Sequence, residues 1–130
     1  MQRQSPSNST VTETLAVRRN KGSMRGYWEF PGGKFEAGES MRGCLVRELQ
    51  EELSVDVKID TELGVHEFNN GEVIIKLHAF LVTRWQGEIK LHDHDKLYWS
   101  TPATIDQLRW SPADIPFVKQ IKSSSNFLTN

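Results

Sequence analysis

Residues 33–55 read GKFEAGESMRGCLVRELQEELSV, and the spacing of their acids decides how the rest of the 130-residue chain is read. With Ser40 as N-cap, a helix running to about Leu53 rotates successive residues by about 100°. Leu45, Val46, Leu49 and Leu53 then share one arc, the expected core face. Glu48, Glu51 and Glu52 stand at i, i+3 and i+4, so their carboxylates crowd one patch beside that arc, with Arg47 at its edge. A solvated helix face is the ordinary fate of a glutamate run, but such a face interleaves its signs. Here the acids gather and repel, and a hard divalent cation is the natural counterion. Oxygen donors suit Mg2+ or Mn2+, whereas zinc favours His and Cys. Just upstream, Pro31, Gly32 and Gly33 are expected to form a tight turn with positive φ that faces backbone groups toward a ligand and leads into Lys34.

The same stretch resembles the Nudix box, G-x5-E-x7-R-E-U-x-E-E-x-G-U, where U is a bulky apolar residue. Gly33, Glu39, Arg47, Glu48, Leu49, Glu51, Glu52 and Val55 match it, and Ser54 stands where the family has glycine. That glycine would end the helix in a left-handed conformation, so serine costs about 1 kcal/mol but removes no ligand. The resemblance implies a MutT-like hydrolase built as an α/β/α sandwich, an α/β fold with a mixed β-sheet between helices. It also implies a cation held by Glu48, Glu51, Glu52 and the Gly32 carbonyl. Glu48 either ligates or acts as base on the attacking water, with Arg47 positioning it. Lys34 and Arg19 are expected on phosphate oxygens, and for Arg19 a solvated edge charge is the competing reading.

Sixteen basic residues face 17 acidic ones, a balance that argues against a surface for long nucleic acid and leaves a free nucleotide as partner. A single cysteine, Cys44, excludes an internal disulfide and fits a reducing cytoplasm. Nothing in the local sequence places a histidine beside it to make a nucleophile. Residues 1–10 are polar, lack the apolar core of a signal peptide, and are expected to be a flexible tail unable to supply a strand. Residues 11–130 then form one domain. The most apolar run, Val73 to Val82, is about half a membrane span and is broken by Lys76 and His78, so no membrane partner is expected.

Strands are expected over Val11 to Arg18, within Val55 to Phe68, over Val73 to Val82 as the central strand, and over Lys96 to Ser100. Asn69 to Gly71 and Trp85 to Gly87 read as turns. Thr101 and Pro102 open a short helix to about Leu108, and Ser111 and Pro112 open a last one to about Lys122, with residues 123–130 fraying.

His92, Asp93, His94 and Asp95 form a loop whose alternating His and Asp make a poor zinc site and a reasonable solvated turn. The resemblance adds a third reading: Asp93, six residues before Trp99, is the acid that binds metal or takes a proton. Guanine-sanitising relatives tend to carry an amide at the position of Asp114. An ionised Asp offers only acceptors and favours a base with an exocyclic amino group, such as cytosine or adenine. A helix N-cap is the competing role for Asp114. Phe35 and Phe80 either stack on a base or belong to the core. The segments LHAF and SPADIP resemble the CTP pyrophosphohydrolase branch. The implied reaction is Mg2+-dependent hydrolysis of a nucleoside triphosphate to monophosphate and pyrophosphate, on (d)CTP or a modified pyrimidine nucleotide, by a monomer or homodimer. The alternatives are hydrolysis of oxidised purine nucleotides and an inactive nucleotide-binding module.

Overall fold

Leu15, Ala16 and Val17 are all fully buried, which consecutive residues of a strand achieve only when both sheet faces are covered. The structure, a computed structural model, describes residues 1–34 and 36–123. Its elements are β1 (Gln2–Gln4), β2 (Thr12–Arg19), β3 (Trp28–Glu29), α1 (Met41–Leu53), β4 (Asp56–Lys58), β5 (Glu62–Asn69), β6 (Ile74–Phe80), β7 (Arg84–Gln86), β8 (His94–Ser100) and α2 (Ile115–Ser123). Leu15 and Val17 pack with Leu49 and Leu53 of α1, and Ala16 packs with Val118 and Ile121 of α2. Because side chains alternate along a strand, the two helices lie on opposite faces of β2. This is the expected sandwich.

Strand β8 runs antiparallel along one edge of β2, from Thr14↔Ser100 to Arg19↔His94. The other edge is shared by β1, through Gln2↔Thr14, and β3, through Val17↔Glu29. Antiparallel pairs β4–β7 and β5–β6 complete the ladders. Among the described residues the one parallel pairing outside them is a bridge from Trp28 to Trp110.

Several expectations are corrected here. Residues 1–10 do supply a strand: the Gln2 amide donates to the Val82 carbonyl at 2.9 Å and the Leu15 amide to the Met1 carbonyl at 2.8 Å. Strand pairing is a backbone property, and the polar side chains are accommodated individually. The Gln2 amide nitrogen donates to Thr14 Oγ1 at 3.0 Å, and the Arg3 guanidinium stacks 4.1 Å over the Trp99 ring. Val73 to Val82 is not central, for among the described residues β6 pairs only with β5, and Ile74 is 64% exposed at the hairpin end. The supposed turn at Trp85 and Gln86 is strand β7. Thr101 to Leu108 holds turns and a 3-10 segment, Ile105–Gln107, in place of an α-helix. A 3-10 turn, Pro112–Asp114, leads directly into α2.

Helix α1 has the expected ends. The Ser40 hydroxyl accepts from the Gly43 amide at 3.0 Å, and Ser54 closes the helix at φ 59°, ψ 36° with its amide on the Gln50 carbonyl. Its buried face is rotated from the expected arc: Val46 is 37% exposed, whereas Cys44 and Glu52 are buried with Leu49 and Leu53. Ser54 is the one described non-glycine residue at positive φ, and its hydroxyl pairs with His92 Nε2 at 2.7 Å. Ser54→Gly and Ser54→Ala both forgo that bond, but only glycine relieves the left-handed strain. Urea denaturation is therefore expected to find the glycine variant about 1 kcal/mol more stable than the alanine variant.

Candidate active site

The turn before α1 is shaped by a close approach. A Cβ on Gly33 would collide with the Glu48 carboxylate where it now lies, so any side chain there would displace that acid. The expected positive φ is found at Gly32 (φ 156°) and not at Gly33. Arg47 fixes the carboxylate from the other side, donating from Nη1 to Glu48 Oε1 at 3.0 Å and to Glu51 Oε2 at 3.2 Å. Its Nε and Nη2 form a fork on Glu39 at 2.7 and 2.9 Å, and Nη2 reaches the Lys34 carbonyl at 3.3 Å. The fork holds the Glu39 carboxyl down at about 2. One arginine therefore ties the loop at Lys34 and Glu39 to the acids of the helix.

Glu52 is only 8% exposed. Its Oε2 accepts from the Gly32 amide at 3.1 Å, which ties the glycine turn to the helix acid. Burial, reinforced by the nearby Glu29 and Glu48 carboxylates and opposed by the Gly32 N–H, pushes the Glu52 carboxyl up to about 8.

Two residues that the sequence did not single out for this patch complete it. Ligand atoms of Glu29, Glu52 and His94 all lie within 4.8 Å of one another. Glu29 Oε2 accepts from His94 Nε2 at 2.8 Å and from Arg19 Nη1 at 3.2 Å. Glu29 arrives on β3 and His94 on β8, the strands that flank β2 near Arg19. An extra residue, Asp95, between His94↔Arg19 and Lys96↔Arg18 bulges β8. It breaks the strand's alternation, so His94 is buried while Lys96 is exposed. The available signal for Glu29 was its position in the WEFPGG segment, three residues ahead of Gly32.

The remaining candidates are divided. Asp93 Oδ1 is paired with Lys21 Nζ at 2.9 Å, and that hydrogen bond and charge lower its pKa. Arg19 stands on Glu29 at the edge of the acid cluster. Lys34 is exposed. Asp114 Oδ2 accepts from the Phe30 amide at 3.2 Å, which joins the start of α2 to the strand carrying Glu29. Burial, with the Phe30 N–H opposing it and the Glu29 charge adding to it, pushes the Asp114 carboxyl up to about 7. The Arg42 guanidinium lies 5.2 Å over the Phe80 ring. Phe35 lies outside the described residues, as do residues 124–130 of the expected frayed end. Cys44 is buried with its thiol on the Lys34 carbonyl at 3.4 Å, and burial raises its pKa, which opposes a thiolate role.

The NUDIX domain family model matches residues 7–121 of the chain. The chain belongs to the Nudix family. This Nudix hydrolase is 39% identical over 105 residues to the CTP pyrophosphohydrolase of Escherichia coli strain K12, covering 81% of this chain and 78% of that one. It is 34% identical over 119 residues to a putative 8-oxo-dGTP diphosphatase 2 of Mycobacterium tuberculosis, covering 88% and 82%. Its structure is similar to the solution structure of the Escherichia coli ORF135 protein, with a TM-score of 0.77, 34% identity, and coverage of 88% and 85%. Nudix hydrolases generally use divalent metals and act on free nucleotides. The donor set fits such an ion: ligand atoms of Glu52, Glu29 and His94 lie within 4.8 Å of one another, and burial with the Glu29 and Glu48 charges raises the Glu52 carboxyl. None of the described helices is long and apolar enough to cross a membrane.

Proposed function

We propose that this hydrolase cleaves a cytosine nucleoside triphosphate, CTP or dCTP, to the monophosphate and pyrophosphate with Mg2+, and that Mn2+ can substitute. The observation that carries the reading is the pairing of a three-acid helix patch with an acid, Asp114, fixed on the Phe30 amide nearby in the fold. The resemblance to an enzyme named CTP pyrophosphohydrolase supports the choice of base. Glu51 and Glu52 would hold the cation, with Asp93 joining them on release from Lys21. A cation seated there supplies positive charge against the polyphosphate.

The chain's own groups supply the remainder. Glu48, oriented by Arg47, takes the proton of the attacking water, and the bond to the departing pyrophosphate breaks as the new P–O bond forms. Arg19 and Lys34 hold phosphate oxygens. Asp114 reads the base. With its carboxyl near neutrality, it is not the acceptor-only group expected from an ordinary Asp. Its protonated form offers one O–H and one C=O, which complement the N3 acceptor and N4 amino donor of cytosine.

Incubating the protein with Mg2+ and a panel of CTP, dCTP, their oxidised or methylated forms, 8-oxo-dGTP and the common purine triphosphates is expected to release monophosphate and pyrophosphate fastest from a cytosine nucleotide. Faster turnover of 8-oxo-dGTP would favour the second reading, which the relative named 8-oxo-dGTP diphosphatase supports. No pyrophosphate from any nucleotide would overturn both.

A further inference from the structure

His94 is 4% exposed, and its two ring nitrogens are treated very differently. Among the described residues Nδ1 has no hydrogen-bond partner, while Nε2 lies 2.8 Å from Glu29 Oε2 and 3.9 Å from Glu52 Oε1. A carboxylate can only accept, so the short contact requires the hydrogen on Nε2. The ring thus lies within reach of a buried acid, Glu52, and a half-buried one, Glu29, and bonds only to Glu29. Glu29 is gripped from two strands at once, by His94 of β8 and by Arg19 of β2. Glu52 is gripped on one oxygen, by the Gly32 amide, and at 3.9 Å its other oxygen is beyond a hydrogen bond from His94.

We propose that His94 is a positioning residue: its Nε2–H draws Glu29 away from Glu52, and its ring fills the gap between them, so that one Glu52 oxygen stays directed at the cation. Neither Glu51 nor Glu48 is served in this way, since both are held by Arg47 from the far side. Removing the donor leaves Glu29 with Arg19 alone, and Glu29 then shares the buried space with Glu52 without a fixed orientation. The inference deepens the proposed function and rests on its assignment of Glu52 to the cation.

The test replaces His94 with Phe, which fills the volume without a donor, and with Gln, whose amide nitrogen reaches a similar place. Mn2+ binding without nucleotide, followed by electron paramagnetic resonance, is read beside the Mg2+ concentration for half-maximal turnover and the nucleotide KM at saturating Mg2+. His94→Phe is expected to weaken Mn2+ binding about tenfold or more, the usual range for a group that orients a metal ligand. KM is expected to move far less, and His94→Gln to recover most of the loss. Should the Phe variant not fold, Glu29→Gln is expected to reproduce the weakened Mn2+ binding and His94→Gln again to spare it. Unchanged Mn2+ binding in His94→Phe, or a Gln variant no better than a folded Phe variant, overturns the proposal. Glu52→Gln separates the two levels: if it leaves Mn2+ binding intact, the cation assignment falls and the role of His94 with it. If it weakens binding while the His94 variants do not, only the role of His94 falls.

Discussion

Glu52→Gln is expected to cut turnover by about 10²–10³-fold, the scale on which losing one fixed electrostatic group slows an enzyme, while leaving the cation-free protein more stable above neutral pH. The two effects have one cause. Glu52 is buried among other acids and its carboxyl is raised to about 8 from an ordinary 4.5. A raised acid binds its proton more tightly in the folded state, so between roughly pH 4.5 and 8 the folded chain holds more protons than the unfolded one, and stability falls as pH rises through that window. Glutamine accepts the Gly32 N–H as well as glutamate does but carries no charge to bury. Its advantage grows through the same window to the order of a few kcal/mol above pH 8. Thermal melts from pH 5 to 9 without divalent ions read this directly. Adding Mg2+ should then raise the melting temperature of the wild type and not that of the variant, since only a state that binds the ion gains from it. A variant that keeps its turnover, or melts lower than wild type at pH 8.5, would refute the assignment.

The second large effect concerns base choice. Asp114 titrates near 7, so acidification gives it an O–H that suits cytosine N3, and alkalinisation leaves a carboxylate whose acceptors suit the adjacent N1–H and N2 amino donors of guanine. The ratio of kcat/KM for CTP to that for an oxidised guanine nucleotide is therefore expected to fall about tenfold or more from pH 6 to pH 8.5, the scale set by one mismatched buried polar contact. Taking the ratio at each pH cancels the titration of groups common to both substrates. Asp114→Asn keeps a donor and an acceptor at every pH, so its ratio should stay flat from pH 6 to pH 8.5. Equal pH profiles of the ratio in wild type and variant would show that Asp114 does not read the base.

What the sequence could reveal was set by distance along the chain. Ser40 at the head of α1, Ser54 at its tail, and Glu48, Glu51 and Glu52 between them were legible because helical rotation is a local property, the same in every fold. The rotated burial of α1 was less so: Val46 is apolar yet exposed and Glu52 charged yet buried, because the side that faces inward depends on what the sheet presents. Hydrogen bonding between strands is made by backbone and carries little side-chain signature, so the pairing of Gln2–Gln4 with β2 was invisible behind polar letters. Glu29 and His94 are 65 residues apart, and only their strands' common neighbour and the bulge at Asp95 bring them onto Glu52. The carboxylates of the helix were determined by sequence alone. Their surroundings, which move the Glu52 carboxyl and choose which oxygen stays available, were decided by tertiary structure, because burial and opposing charge are supplied by segments that meet only when the sheet closes.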